Sequence, residues 1–362
     1  MFMKGSTLCS GLIVLGLLLS NEVYAAEPTT EPDYATRQQG LQQTNPVAAW
    51  QRGQGKDVVV AVLDTGVQSS HPDLNGNLLL GYDYVDNQSD GSVDPNGHGT
   101  HIAGIIAALV NGVGITGIAP QAEILPVRVL NDVKGSEAMA YCEDYNDPET
   151  APNPNCSKRT MLSTIKGIQS AALYALTKNK RMVINASFGS PAENGYCAAI
   201  DKLFSDHPEL ENSVIIVAAA MNENTSAERY PAACSRVFAV AAVDENDARW
   251  TEGPRASNFG SWVSIAAPGK QVYSTWLEGA YRSQSGTSMA TPFVAGAVAV
   301  LLSADPSLSP KQAMQYLLDN TDPLSDSGLG AGRLNLSKAM SAIPAPPVAP
   351  TAPVAPSNFS IQ

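Results

Sequence analysis

The sequence predicts an α/β fold, a three-layer sandwich in which a mainly parallel central sheet is covered by helices on both faces. The apolar run over residues 57–63 is rich in β-branched side chains, which is typical of a strand buried on both faces. Strand-like and helix-like segments then alternate along the chain, and this alternation favours a parallel sheet. Asp64 directly follows the first strand, at the end where open α/β sheets place their chemistry.

The later elements are predicted from apolar runs and from helical periodicity. Pro126 weakens the prediction for the interior of the second strand, because proline cannot donate a hydrogen bond to a sheet. The further strands cover residues 123–130, 182–187, 214–220 and 237–243, and the helices cover residues 102–108, 162–176 and the run from Ser288 to Leu302.

The composition argues against a nucleic-acid partner, since 34 acidic and 22 basic side chains give a net charge of −12. Residues 1–25 contain Lys4, then an apolar run, then small residues ending at Ala25, which is the pattern of a secretory signal. The apolar run is too short to span a bilayer, although a retained membrane anchor is the alternative. We therefore expect a secreted or periplasmic monomer with no membrane span after the signal is removed.

The rest of the chain divides into three parts. The polar residues 26–44 form a short N-terminal segment that is expected to be loosely held, and residues 45–342 form one domain. Within that domain, residues 131–161 are an acidic, cysteine-containing insertion without periodicity, as expected for a surface loop. Residues 343–362 form a proline-rich tail, which is either a disordered end or a spacer.

Four cysteines remain after the signal, an even number that indicates two disulfides in an exported protein. Four cysteines allow three connectivities. We favour Cys142–Cys156, which closes a short local loop, together with Cys197–Cys234. A zinc site is not favoured, because the spacing differs from that of a zinc knuckle.

Asp64, His98 and Ser288 all lie in glycine-flanked positions at a strand end or a helix start. A serine hydroxyl is a weak nucleophile, so it must be exposed on a tight turn beside a base. Gly286 permits such a turn, and the following helix start offers N–H groups to a developing anion. His98 would accept the Ser288 proton while Asp64 holds the imidazole. Taken alone, Ser288 could equally be a helix N-cap.

Three motifs surround these residues: Asp-Thr-Gly at Asp64, His-Gly-Thr-His-Ile-Ala-Gly at His98, and Gly-Thr-Ser-Met-Ala-Thr-Pro at Gly286. Together they resemble the subtilisin-like serine proteases, the subtilase family, over about residues 45–342. Subtilisin defines this order of triad residues, so the match is a recognition. The resemblance implies a subtilisin-like sandwich and a serine-type endopeptidase that forms an acyl-enzyme with polypeptide substrates.

The resemblance further implies that Asn222 and the Ser288 N–H stabilise the oxyanion. It implies a substrate pocket with two walls, formed by Ser187, Phe188 and Gly189 and by Ala219, Ala220 and Met221. Three positions depart from the family: Met221 and Asn224 stand where glycine is usual, and Phe293 stands where a second histidine is usual. We expect Met221 to narrow or reshape the pocket.

The resemblance also implies a structural Ca²⁺ site. A hard cation prefers carboxylate, amide and backbone oxygens from a tight loop, and the segment around residues 109–115 supplies all three together with Asp73. An ordinary glycine loop is the alternative. The expected ligands are Asp73, Leu109, Asn111, Val113 and Ile115.

Three functions are consistent with these patterns. The first is an exported endopeptidase of broad to moderate specificity, because extended substrates pair mainly through their backbone. The second is a narrow-specificity processing protease, with a cleft shaped by Met221 and by the acidic insertion, whose carboxylates either favour basic substrate residues or are simply solvated. The third is a non-catalytic binding protein on a protease scaffold, which the intact triad and Asn222 disfavour.

Overall fold

The computed structural model describes residues 27–87, 90–130 and 154–344, apart from the side chains of residues 154–160. The predicted signal over residues 1–25, the insertion over residues 131–153 and the tail beyond residue 344 lie outside the described residues. Those three predictions therefore stay predictions.

The described residues form short and long elements in alternation. The strands are β1 Val58–Asp64, β2 Tyr82–Asp83, β3 Glu123–Arg128, β4 Arg181–Ala186, β5 Val214–Ala219, β6 Val237–Val243, β7 Thr251–Glu252, β8 Arg255–Ala256, β9 Ile265–Pro268, β10 Val272–Thr275 and β11 Tyr281–Gln284. The helices are α1 Tyr34–Arg37, α2 Gln39–Gln43, α3 Val47–Trp50, α4 His98–Ala107, α5 Pro154–Lys178, α6 Tyr196–Asp206, α7 Thr287–Ala304, α8 Pro310–Asp319 and α9 Leu336–Ala342.

Seven strands form a parallel sheet in the order β2-β3-β1-β4-β5-β6-β9. β7 pairs with β8, and β10 with β11, as separate antiparallel hairpins. Within the sheet, Leu63 of β1 is paired with Ala186 of β4, and Ala186 is paired with Ala218 of β5. The carboxyl ends of these three strands therefore meet at one edge of the sheet.

Alternate residues of β1 face two hydrophobic layers. Val58, Val60 and Val62 pack with the helices α4, α7, α8 and α9 on one face of the sheet. Val59, Ala61 and Leu63 pack with α5 and α6 on the other face. Every residue of β1 is buried, as the continuous apolar run predicts. The predicted three-layer α/β fold is confirmed.

Pro126 lies inside β3 without disrupting the sheet. Ile124 directs its N–H and carbonyl towards Asn77 and Leu79, on the β2 side, so the position of Pro126 two residues later faces the same side. Pairing with β2 resumes only at Val127. The missing N–H therefore points at a gap near the sheet edge, where proline is tolerated.

The prediction of a loosely held N-terminal segment is wrong for its described residues. Tyr34 and Leu41 are buried, and the Tyr34 ring lies 6.0 Å from that of Trp50. Gln38 is also buried, and it donates to the Thr116 carbonyl at 2.7 Å and accepts from the Thr116 N–H at 3.1 Å. Polar side chains anchor this segment to a loop of the domain, which a search for apolar runs does not detect.

The helix predicted over residues 162–176 begins earlier, at Pro154, so the last part of the predicted insertion over residues 131–161 is helical. Proline is favoured in the first turn of a helix, where its missing N–H has no partner to lose. The predicted disulfide Cys197–Cys234 is present and joins α6 to the segment before β6. Cys142 lies outside the described residues and the side chain of Cys156 is not described, so their pairing stays a prediction.

One described helix, α7, is long and apolar enough to cross a membrane by length and composition. This finding corrects the expectation that no stretch besides the signal meets that test. However, 89% of the relevant window is buried inside the protein. The helix is apolar because sheet and helices surround it.

Candidate active site

The residues with catalytic chemistry meet at the carboxyl edge of the sheet. Asp64 ends β1, Ser187 follows β4 and Asn222 follows β5 by a short turn. His98 begins α4 and Ser288 lies in the first turn of α7, and both helices pack against each other and against β1. Residues far apart in the chain are thus placed in one region by three parallel strands and two helix starts.

Asp64 and His98 are directly hydrogen-bonded. His98 Nδ1 lies 2.7 Å from Asp64 Oδ1, so Nδ1–H donates to the carboxylate and Nε2 keeps its lone pair. Burial lowers the pKa of His98, but the Asp64 carboxylate, helped by Asp94, outweighs this effect, and the pKa is raised above 6.5. The neighbouring His101 differs, because burial lowers its pKa to about 3 and keeps it neutral.

Asp94 organises the turn before His98, and the sequence analysis assigned it no role. One carboxylate oxygen accepts from the Gly97 N–H at 2.8 Å and from the Thr65 hydroxyl at 2.8 Å. The other accepts from both the N–H and the hydroxyl of Thr100. The Thr65 hydroxyl in turn accepts from the Gly99 N–H. Asp94 therefore links the residue after Asp64 to the helix start that carries His98.

The raised pKa of His98 predicts the acid side of the pH–activity profile. His98 must be neutral to accept a proton, so activity falls as pH drops through its pKa. We expect kcat/KM, measured with a substrate that does not titrate, to fall on acidification with an apparent pKa above 6.5. His71 and His101 cannot produce this transition, since burial lowers both of their pKa values. An acid transition centred below pH 6.5 would contradict the assignment.

Ser288 is held by reciprocal hydrogen bonds with Ser187. The Ser288 hydroxyl donates to the Ser187 carbonyl at 3.1 Å, and the Ser187 hydroxyl donates to the Ser288 carbonyl at 3.0 Å. The second bond is available because Pro292, four residues on, has no N–H to donate to that carbonyl. Within the described residues, the Ser288 hydroxyl is not hydrogen-bonded to His98. Rotation about the Ser288 Cα–Cβ bond would release it, and catalytic hydrogen bonds in unliganded enzymes often tighten only with substrate.

Gly286 and Thr287 shape the turn before Ser288. Gly286 has φ 146°, in the region that favours glycine. Thr287 fixes Asn222, since its N–H and its hydroxyl both donate to Asn222 Oδ1, at 2.9 and 3.1 Å. A backbone N–H can only donate, so the amide oxygen must face Thr287 and the NH₂ group must face away. Thr287 belongs to the predicted serine motif, but its role emerges only from these contacts.

The two predicted pocket walls lie at the ends of the neighbouring strands β4 and β5. Met221 connects them. Its side chain is buried, and a Cβ placed on Gly189 would lie 2.8 Å from Met221 Cγ and 3.0 Å from Sδ. Met221 also has φ 74°, a backbone conformation that glycine adopts more readily. The remaining wall residues are Ser187, Phe188, Ala219 and Ala220, all of them buried.

The predicted cation loop lies beside a second carboxylate, Glu31, which the sequence analysis missed. Asp73 Oδ1 accepts from the Asn111 amide at 3.2 Å and Oδ2 from the Ile115 N–H at 3.2 Å, while the Asp73 carbonyl accepts from the Leu109 N–H. Glu31 Oε1 accepts from the Gly112 N–H, and Oε2 is buried with no partner in the described residues. Burial and the nearby Asp73 raise the pKa of Glu31, and burial raises the pKa of Asp73.

This loop could hold a cation only with amide and carbonyl oxygens besides its carboxylates. Among residues 27–87, 90–130 and 154–344, no group of three or more His, Cys, Asp or Glu side chains could hold a metal ion. The orphaned Glu31 oxygen and the raised pKa values of both carboxylates nevertheless fit a hard cation. Sequence patterns offered no signal for Glu31, because it lies in a polar segment far from the loop.

The comparisons with known proteins agree with this geometry. The subtilase family matches residues 55–332 of the chain. The chain is 36% identical to thermitase of Thermoactinomyces vulgaris over 314 residues, covering 86% of this chain and 98% of the relative. It is 35% identical to subtilisin DY of Bacillus licheniformis over 291 residues, covering 79% and 91%.

Solved structures give the same result. A cold-adapted subtilisin-like serine proteinase has a TM-score of 0.62 and 31% identity, covering 78% of this chain and 90% of its own. A protease of Pseudoalteromonas arctica has a TM-score of 0.65 and 28% identity, covering 87% and 99%. The family match over most of the chain, together with these relatives, confirms the prediction made from the three motifs: the chain belongs to the subtilase family and is a serine-type endopeptidase.

Proposed function

We propose that Asp64, His98 and Ser288 form the catalytic triad and that Asn222 with the Ser288 N–H forms the oxyanion hole. The observation that carries this proposal is the 2.7 Å hydrogen bond between His98 Nδ1 and Asp64 Oδ1 at the edge of the sheet that also holds Ser288. This bond fixes the tautomer in which Nε2 can accept a proton.

The reaction then proceeds in two halves. Ser288 Oγ attacks the peptide carbonyl while His98 Nε2 takes its proton, and the negative oxygen is stabilised by Asn222 Nδ2 and the Ser288 N–H. Collapse of this intermediate breaks the peptide C–N bond as His98 returns the proton to the leaving amine. Water, activated by His98, attacks the acyl-enzyme by the same route and releases Ser288.

An irreversible serine reagent tests the assignment directly. We expect the reagent to attach to one serine in the native enzyme, with mass spectrometry locating the adduct on Ser288. Protein unfolded before treatment should react little, because the hydroxyl is activated only by the folded site. An adduct on another serine would contradict the assignment.

The specificity combines a tolerant backbone interaction with a restricted pocket. An extended substrate pairs with the chain after β4 mainly through its backbone, which gives broad to moderate specificity along most of its length. Met221 occupies space between the walls, against Gly189. We infer that the residue before the scissile bond is small. This contact also favours the narrower processing protease as the second candidate.

Met221→Gly is expected to raise kcat/KM for substrates with Phe or Leu before the scissile bond by roughly 10- to 100-fold relative to Ala substrates, because it removes buried side-chain volume. The backbone should accept glycine readily, since φ is 74°. A peptide library measures the effect. Asn224→Gly is the matched control, because Asn224 also has positive φ, at 57°, but does not contact Gly189. Unchanged preference in Met221→Gly would refute the role of Met221.

The loop beside Asp73 is proposed to hold a structural Ca²⁺. Asp73, Asn111 and Glu31 would contribute side-chain oxygens, and Leu109, Val113 and Ile115 would contribute backbone carbonyls. Bound there, the cation would supply positive charge that compensates two buried carboxylates. The site lies at the junction of the N-terminal segment and the domain, so its role is stability.

Chelation is expected to lower the melting temperature by roughly 5–10 °C, since saturation near 100 times Kd contributes about 2.7 kcal/mol in a domain of this size. Glu31→Gln and Asp73→Asn should reduce the calcium-dependent shift. Asp206→Asn is the matched control, because this carboxylate is exposed and pairs only with Lys202 among the described residues. Equal melting temperatures in calcium and in chelator would remove the proposal.

Export is proposed from two features. Residues 1–25 have the pattern of a secretory signal. The Cys197–Cys234 disulfide suits an oxidising compartment outside the cytoplasm. Both favour a monomeric enzyme, secreted or periplasmic, that acts on polypeptides there.

A further inference from the structure

Two arginines beside the candidate active site lack an acceptor. Every other arginine whose side chain the structure describes donates a hydrogen bond or ion pair within the protein. Arg255 and Arg282 are exposed and do neither among the described residues. Each is stacked instead on a tryptophan, Arg255 at 5.4 Å from the Trp250 ring centroid and Arg282 at 4.8 Å from that of Trp276.

Arg255 reaches the turn that carries the nucleophile. A Cβ placed on Gly286 would lie 3.7 Å from its terminal nitrogen and 3.5 Å from Asn222 Nδ2. The guanidinium and the oxyanion amide therefore approach the same face of Gly286, two residues before Ser288. Glu252 is opposite Arg255 in the hairpin, but no ion pair forms between them within 4.0 Å.

Arg282 lies near the other member of the proton-transfer pair. Its partner Trp276 packs on the turn before His98, since a Cβ placed on Gly97 would lie 2.7 Å from the indole ring. Arg282 itself belongs to β11, the strand that leads into Gly286. The two guanidinium groups therefore lie near the two turns that present His98 and Ser288.

Both arginines lie on the side of the leaving segment. The acyl part of a substrate occupies the pocket between the wall after β4 and the wall after β5. Arg255 lies beyond that pocket, on the β7–β8 hairpin whose Ala256 N–H donates to the Asn222 carbonyl. Trp276, which supports Arg282, lies at the turn of His98, the residue that protonates the leaving amine.

The chemistry of these groups identifies what they would bind. Arginine remains charged at any relevant pH, and its planar fork matches a carboxylate in a bidentate manner. Stacking on an indole ring restrains the guanidinium, so less freedom is lost on binding. The positive charges stand out in a chain of net charge −12.

We propose that Arg255 and Arg282 are specificity-determining residues that select an acidic side chain in the first positions after the scissile bond. The inference rests on the proposed function, because it uses the triad to define the leaving side. It concerns a different part of the substrate from Met221, which acts on the residue before the bond.

The test uses internally quenched peptides of one sequence, with Glu, Gln or Lys at the first or second position after the cleaved bond. In the native enzyme, kcat/KM for Glu should exceed that for Gln by roughly 3- to 10-fold, with Lys lowest, as for partly exposed charge pairs. Added salt should shrink the ratio. Arg255→Gln and Arg282→Gln should each lower it, and the double variant should bring it close to 1.

Arg236→Gln is the matched control, since Arg236 is also stacked on an aromatic ring, that of Phe204, but lies on α6 and the segment before β6. It should keep the native Glu-to-Gln ratio. A ratio near 1 in the native enzyme, or a ratio preserved in the double variant, overturns this inference while cleavage of the Gln peptide upholds the proposed function. Failure to cleave any peptide would overturn both.

Discussion

Replacement of Ser288 by alanine is expected to reduce kcat by about 10⁴- to 10⁶-fold, a range known from subtilisin itself and applied here by family membership. Without Oγ no acyl-enzyme can form, and the remaining acceleration comes from substrate binding and the oxyanion donors. The helix start should persist, because Gly286 and Thr287 form the turn. Steady-state hydrolysis of a peptide substrate, with melting temperature recorded alongside, measures the loss.

The triad also predicts strong non-additivity. If His98 acts only by accepting the Ser288 proton, the double variant Ser288→Ala, His98→Ala should be no slower than Ser288→Ala alone. Ser283→Ala is a suitable control, since this exposed serine of β11 makes no side-chain hydrogen bond among the described residues. Further loss in the double variant would indicate that His98 acts in a second way.

Local sequence motifs were sufficient to predict the fold and family. Asp64 is recognisable because a fully buried strand must be apolar, so an acid at its end stands out. Ser288 is recognisable because a small-residue turn precedes a helix that is apolar on all sides. In both cases the chemistry and its structural setting lie within a few residues of each other.

The supporting residues could not be predicted, because their roles depend on atoms that are distant in the chain. Glu31 lies in a segment that looked loosely held, yet it reaches Gly112. Asp94 acts through Thr65 and Thr100, and Thr287 acts through Asn222. Polar residues of this kind have no periodicity, and only the fold specifies which polar groups face one another.

Asn222→Ala is expected to lower kcat by about 10²- to 10³-fold, again a magnitude known from subtilisin, with little change in KM. The amide oxygen is fully engaged by Thr287, so Nδ2 is the group left to face the cleft. A donor that meets the substrate oxygen only once it becomes tetrahedral stabilises the transition state and not the bound substrate. Kinetics over a range of substrate concentrations separates the two effects.

Thr287→Val extends this argument to the orientation of Asn222. The variant removes the hydroxyl that donates to Asn222 Oδ1 and accepts from the Met221 N–H, but the backbone N–H of residue 287 still holds the amide. Its loss in kcat should therefore be smaller than that of Asn222→Ala, and combining the two changes should add little. Asn246→Ala, at an exposed asparagine, is the control. If Asn222→Ala instead raised KM and left kcat intact, Asn222 would be a substrate-binding residue and the oxyanion hole would need another donor.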